Sequence, residues 1–246
     1  MPNIDSSVSV NVRTSPYSRH TMPLHEKRRK IDEMSNKLES APEDLSKDER
    51  ISFRSDLLYF SKLHHFETNA NCKKDFESII VKCYLKTINY DPKTKDELKN
   101  EEEKFACIEK FSIENRFNPN MDLPGSGIQS YKDTLYHNYA FHLINSASVE
   151  SEIADEAHEI YNKVIHKDES IMAIIEKLQS SFQKLKEANQ QMMKNKSISV
   201  DIKSLEKDFN DLIEKDEIDI AYRVTENIKS LKKYSHLEEI LKQLDA

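Results

Sequence analysis

Glycine is almost absent from this chain: two glycines occur in 246 residues, where average usage would give roughly 17. Tight turns, hairpins and phosphate-cradling loops depend on glycine for backbone conformations with positive φ. The shortage therefore argues against β-sheets and against glycine-rich nucleotide sites. Tryptophan is also absent, and charged residues make up 33% of the sequence. This composition is typical of long helices joined by polar loops and predicts an all-α protein.

Cysteine is scarce as well. The three cysteines, Cys72, Cys83 and Cys107, are odd in number and lack CxxC spacing, which argues against a disulfide framework and against a zinc site. We expect buried thiols in a reducing compartment. No apolar run approaches the roughly 18 residues of a membrane-spanning helix, and residues 1–18 lack the apolar segment of a secretory signal. We therefore expect a soluble, intracellular protein without a membrane partner.

Catalytic and cofactor-binding motifs are missing too. Asp155–His158 spells DEAH, but it lies in a helical pattern, and the chain contains no phosphate-binding GxxxxGK. The nine histidines show neither HExxH nor another chelating spacing, and no GxSxG occurs. The sequence predicts a protein that is not an enzyme and takes no metal, no cofactor and no small molecule.

Apolar residues at helical spacing, interrupted by prolines and polar stretches, divide the chain into four regions. Residues 1–45 are predicted to form a disordered basic tail with one short helix, and residues 46–113 a helical module that opens with a capping box at Ser46–Glu49. Residues 114–129 form a linker that holds both glycines, and residues 130–246 form long coiled-coil or bundle helices. We expect an elongated molecule, because its low apolar content suits a high surface-to-volume ratio.

The C-terminal region contains an apolar stripe with the alternating three- and four-residue steps of a coiled-coil seam. One continuous helix of about 39 residues, roughly 58 Å long at 1.5 Å per residue, would carry this seam from Ala154 to Met192. Two seam positions, Asp168 and Asn189, are polar, either because they set register and partner choice or because the seam faces water there. The predicted partner-binding residues are Tyr161, Val164, Ile171, Ile175, Leu178, Phe182, Leu185, Asn189 and Met192.

A second apolar stripe lies in the last predicted helix. It is formed by Leu237, Ile240, Leu241 and Leu244. We expect the C-terminal half either to fold back on itself as a helical hairpin or to offer its stripes to other chains.

A basic cluster, Lys27, Arg28, Arg29 and Lys30, follows the polar N-terminal stretch. It fits a nuclear import signal, because an import receptor reads short runs of lysine and arginine. It also fits an arm that contacts nucleic-acid phosphates, or an ordinary basic first turn of a helix.

We interpret the chain as a non-catalytic coiled-coil subunit of a nuclear multi-protein assembly of the kinetochore, chromatin or transcription-coactivator type. Its partners would be other helical subunits, in a hetero-oligomer rather than a homodimer. One alternative is a helical nucleic-acid-binding protein that uses the basic arm, although the net charge of −7 gives that function little support. The other alternative is a cytoplasmic tether or cytoskeletal adaptor.

Overall fold

Nine α-helices form all the regular structure in the part of the chain that the computed structural model describes, namely residues 22–42, 45–116, 118, 127–146, 151–216, 218 and 224–244. The prediction of an all-α fold is confirmed. The helices are α1 (Leu24–Ser40), α2 (Lys47–Phe66), α3 (Ala70–Lys86), α4 (Lys95–Asn115), α5 (Ile128–Ser146), α6 (Ser151–Tyr161), α7 (Glu169–Met193), α8 (Ile202–Asp216) and α9 (Thr225–Leu244).

The first three helices enclose a core of their own. α2 and α3 pack together as a helical hairpin, and α1 packs against α3. The helix predicted within residues 1–45 is therefore an integral part of this core, whereas residues 1–21 lie outside the described residues. The buried side chains of this smaller core are Met34, Leu38, Leu45, Phe53, Leu57, Phe60, Cys72, Phe76, Ile79, Ile80 and Cys83.

The predicted capping box at the start of α2 is confirmed. The Ser46 hydroxyl oxygen accepts a hydrogen bond from the Glu49 N–H at 3.3 Å, and the Glu49 carboxylate accepts one from the Ser46 N–H at 2.8 Å. The first turn of a helix leaves its N–H groups without intrahelical partners. The reciprocal pair satisfies two such groups and fixes the point at which α2 begins.

A larger core joins the remaining helices. α5 packs against α6, α6 against α7 and α7 against α8, while α9 contacts both α7 and α8. Phe182 of α7 and Phe209 of α8 meet edge to face in this core, with ring centroids 5.5 Å apart. This is a favoured aromatic geometry and adds to the stabilisation from burying both rings.

The division between the two cores runs through α3 and does not coincide with the predicted linker. Ile80 belongs to the smaller core, whereas Val81 on the next face of the same helix belongs to the larger one. α4 contributes Phe105 and Ile108 to the larger core. The stretch 114–129 therefore connects two helices of one core.

The continuous coiled-coil helix predicted from residue 154 to residue 192 is wrong between residues 162 and 168. α6 ends at Tyr161 and α7 begins at Glu169. Asp168 is the N-cap residue of α7, and its carboxylate accepts a hydrogen bond from the Ser170 N–H at 2.9 Å. Aspartate is favoured at this position because it satisfies a free N–H of the first turn. The polar residue at this seam position is therefore a helix start.

Candidate interaction surfaces

The predicted partner-binding seam lies inside the protein's own core. α7 carries most of it and packs against α6, α8 and α9. The structure therefore corrects the prediction that this seam faces another chain, because side chains enclosed by their own fold leave no surface for a partner. The enclosed seam residues, each at most 4% exposed, are Tyr161, Val164, Ile175, Leu178, Phe182 and Leu185. Two more, Ile171 and Met192, are partly buried against the same core.

Asn189 lies at the edge of the buried stripe of α7. Its neighbour Ala188 is fully enclosed, at 0% exposed, whereas Asn189 is half-buried. Ser181, seven residues before Ala188, is also buried. The interruption of the apolar series at Asn189 therefore has a local explanation: near the end of α7 the enclosed position is the small residue Ala188.

The basic cluster at residues 27–30 lies within α1. Lys27 Nζ forms an ion pair with the Glu67 carboxylate at 2.7 Å, and the Lys27 side chain is only 14% exposed. Lys30 Nζ lies 5.2 Å from the centre of the Tyr59 ring, within the range of a cation–π contact. The two arginines between these lysines are exposed. The two lysines thus hold α1 against α2 and the turn that follows it, and the two arginines face solvent.

Glu67 anchors the turn between α2 and α3. Its carboxylate accepts hydrogen bonds from the N–H groups of Thr68 at 2.9 Å and Asn69 at 2.8 Å, in addition to its contact with Lys27. Burial raises the pKa of this carboxyl group, but the hydrogen bonds from Lys27, Asn69 and Thr68 outweigh burial and hold the pKa below its ordinary value. The residues around Glu67 do not indicate this contact, because Lys27 lies on another helix.

A second buried polar pair joins α2 to α3. His64 Nε2 and the Glu77 carboxylate are 2.9 Å apart, and their side chains are 10% and 7% exposed. The His64 ring also lies 5.6 Å from the Phe111 ring of α4, measured between centroids. Buried polar groups need hydrogen-bonding partners, and in this pair each group is the partner of the other. The local sequence does not indicate this pair, because His64 and Glu77 lie on different helices.

Asp133 of α5 fixes the connection between α6 and α7. Its carboxylate accepts hydrogen bonds from the N–H groups of Ile165 and His166, each at 3.0 Å, and from the Gln129 amide at 2.7 Å. Burial raises the pKa of Asp133, but these hydrogen bonds and that from the His166 ring prevail and lower it. The break in the predicted long helix is thus held by a side chain of another helix.

The outward side of α2 carries a row of exposed apolar side chains. Phe66 is 75% exposed, Leu58 58% and Ile51 54%. At 100° per residue, their spacing places all three within about 80° of one another around the helix. The opposite side of α2 is buried against α3. α2 is therefore apolar on two sides, of which only one takes part in the core.

Two cations share this exposed side. Arg54 follows Ile51 by three residues, and Lys62 lies four residues from both Leu58 and Phe66. Both are exposed, and neither forms an ion pair with another residue that the structure describes. The side thus alternates apolar and basic residues over successive turns, without a carboxylate between them. We call the set Ile51, Arg54, Leu58, Lys62 and Phe66 the outer α2 face.

The stripe predicted in the last helix is only partly described. The first half of α9 packs into the larger core, and Leu237 in the second half is 59% exposed. The side chains of three further members lie outside the described residues. The stripe therefore stays a prediction beyond Leu237, and those members are Ile240, Leu241 and Leu244.

Metal clusters and membrane-spanning helices are not found among the described residues. No group of three histidine, cysteine, aspartate or glutamate side chains within the described ranges is placed to hold a metal ion. Nor does any helix of that part of the chain combine the length and the apolar character needed to cross a bilayer.

Comparison of the chain with protein-family models, with curated proteins and with solved structures finds no match.

Proposed function

We propose that this protein is a non-catalytic helical subunit of a multi-protein nuclear assembly, of the kinetochore, chromatin or transcription-coactivator type, and that it binds a partner subunit through the outer α2 face. The supporting observation is the exposure of Ile51, Leu58 and Phe66 along one side of a single helix. Singly scattered apolar residues are ordinary on protein surfaces, whereas these three, spaced about two turns apart, share one side of one helix and can be covered together by one partner. Helical spacing of the row suits a helical partner.

The outer α2 face is held in place before any partner arrives. Lys37 of α1 forms an ion pair with Asp56 of α2 at 2.5 Å, and the buried side of α2 packs against α3. A surface that is already ordered loses less conformational entropy on binding. The packing of α2 therefore supports its use as a docking element as well as a part of the core.

Replacing Leu58 with aspartate tests the binding role. Leu58 is more than half exposed, so the variant should keep its fold, while a charge in the middle of the outer α2 face should cost at least about 2 kcal/mol of binding free energy. Affinity purification of the tagged full-length protein, with quantitative mass spectrometry, should show partner subunits lost from Leu58→Asp. The matched control is Ile113→Asp on α4, where the wild-type residue is 77% exposed. Equal recovery of partners by Leu58→Asp and wild type would contradict the proposal.

The nuclear location is tested at the exposed half of the basic cluster. Replacing Arg28 and Arg29 together with alanine leaves the contacts of Lys27 and Lys30 with α2 intact. A fluorescent fusion of this variant should move from the nucleus to the cytoplasm. The control replaces Lys99 and Lys215, both exposed, with alanine. If the arginine variant accumulates in the nucleus like the wild type, these residues are not an import signal.

A further inference from the structure

We infer that the partner element bound by the outer α2 face is an amphipathic helix that carries acidic side chains interspersed with its apolar residues. This inference rests on the proposed function and adds the chemistry of the partner.

Two cations of the outer α2 face are available to pair with a partner's carboxylates. Arg54 and Lys62 each lie within about one turn of an apolar member of the face, and neither has an ion-pair partner among the described residues. From Ile51 to Phe66 the face rises over fifteen residues, which is about 22 Å of helix. A facing helix of about four turns, with a glutamate or aspartate next to each apolar anchor, would pair with both cations while its anchors pack. Such complementarity fixes register and partner choice more than it adds affinity.

The same cations disfavour a second copy of this chain as the occupant. A symmetric dimer uses the same patch on both subunits. In a parallel arrangement Arg54 would face Arg54, and in an antiparallel one it would face Lys62. Both arrangements bring like charges together without a carboxylate on the face to separate them, and like-charge pairs are destabilising at an interface.

The arrangement of the face also disfavours a membrane surface. A helix that lies in a bilayer interface has a continuous apolar side, with its cations on the polar side. Here Lys62 lies directly between Leu58 and Phe66, within the apolar row. A membrane would have to accept an ammonium group at the centre of the inserted side, whereas a protein helix can place a carboxylate opposite it.

The test uses two labelled synthetic helices of about 18 residues with the same leucine row. One has glutamate and the other has lysine at the positions next to the leucines. Fluorescence anisotropy with the full-length protein at low salt should show the glutamate peptide binding about tenfold more tightly. The preference should shrink at about 1 M salt, because ions screen exposed charge pairs.

Charge reversal on the protein completes the test. Arg54→Glu combined with Lys62→Glu should reverse the preference toward the lysine peptide. The control, Lys99→Glu combined with Lys215→Glu, makes the same change in net charge at exposed positions outside the face and should leave the preference unchanged. Circular dichroism checks that each variant keeps its helix content. If the charge-reversed variant loses helix, Arg54→Gln combined with Lys62→Gln takes its place and should abolish the preference.

Several results would overturn the inference. They are failure of both peptides to bind, equal binding of the two, and an unchanged preference after charge reversal. Binding to phosphatidylserine-containing vesicles that Leu58→Asp abolishes would assign the face to a membrane. Self-association in sedimentation experiments that the same variant abolishes would assign it to a second copy.

The failure of this inference is distinguishable from that of the proposed function. If Leu58→Asp loses its cellular partners while the charge-reversed protein retains them, the face binds a partner of different chemistry. If Leu58→Asp retains its cellular partners, the binding role of the face itself is contradicted.

Discussion

Glu67 and Asp133 perform the same task at two different turns. Each carboxylate accepts hydrogen bonds from two consecutive backbone N–H groups: Glu67 in the connection between α2 and α3, and Asp133 in the connection between α6 and α7. Backbone groups in such connections lack the carbonyl partners that a helix interior supplies. A single side chain thus satisfies donors that would otherwise weaken the junction of two helices.

Replacing Glu67 with glutamine should expose this contribution as a pH effect. The pKa of Glu67 in the folded protein lies below its ordinary value of 4.5. Its stabilisation is therefore present above the unfolded-state pKa and is lost as the pH falls through the lower, folded-state pKa. At pH 7 we expect Glu67→Gln to lower the free energy of unfolding by about 1–3 kcal/mol. Below pH 4.5 the variant should lose stability less steeply than the wild type.

Urea unfolding followed by circular dichroism between pH 7 and pH 3 measures both effects. Glu103→Gln, at an exposed position of α4, is the matched control and should behave like the wild type. Parallel pH curves for Glu67→Gln and the wild type would mean that this carboxylate does not stabilise the turn.

A helix end can be predicted from the sequence when it depends on residues that are close to it in the chain. The capping box of Ser46 marks the start of α2 in the sequence itself. The break after Tyr161 is different, because the loop N–H of Ile165 is held by Asp133, 32 residues earlier in the chain. An apolar series with helical spacing continues through this break, and its local sign, the N-cap residue Asp168, fits a polar position of a coiled-coil seam equally well. The all-α class was therefore predictable, and the division into α6 and α7 was not.

The same limit applies to the outer α2 face, the proposed binding site. Ile51 and Leu58 are recognisable from the sequence as apolar members of a helix. Which side of that helix is buried depends on where α3 packs, and spacing within α2 does not contain this information. The predicted seam on α7 failed for the same reason, since α8 and α9 cover it.

Substitutions at two neighbouring positions test which of them the core encloses near the end of α7. Ala188→Leu should overpack the core and lower the free energy of unfolding by about 1–3 kcal/mol. Asn189→Ile, at the half-buried neighbour, should change it by less than about 1 kcal/mol. Thermal unfolding of the two variants compares them directly. A larger loss for Asn189→Ile than for Ala188→Leu would place Asn189 in the enclosed stripe.

In the molecule as a whole, the two cores share α3, and we therefore expect them to unfold together.

The three thiols can be used to measure whether the two cores unfold together. Cys72 and Cys83 are buried in the smaller core as expected, whereas the expectation of a buried thiol is wrong for Cys107, which is exposed. Burial raises the pKa of Cys83 to about 12, so the folded protein holds almost no reactive thiolate at that position.

Labelling with a disulfide reagent should therefore show one fast thiol and two slow ones. Phe182→Ala truncates a fully buried ring in the larger core and should cost about 3–5 kcal/mol. If the cores unfold together, this distant change will accelerate the labelling of Cys72 and Cys83. Cys107→Ser should remove the fast phase alone. Slow-phase rates that Phe182→Ala leaves unchanged would show that the smaller core unfolds independently.

The stretch between α4 and α5 has a practical consequence for handling this protein. Side-chain contacts join the two sides of this stretch. Lys132 of α5 forms an ion pair with Glu109 of α4, and the Asn138 amide of α5 donates to the carbonyl oxygen of Tyr90, in the connection before α4, at 2.9 Å. Because packing rather than chain continuity joins the two sides, a protease nick within residues 119–126 would yield fragments that stay associated. The two fragments should therefore copurify after such a cut, and separate only when the protein is unfolded.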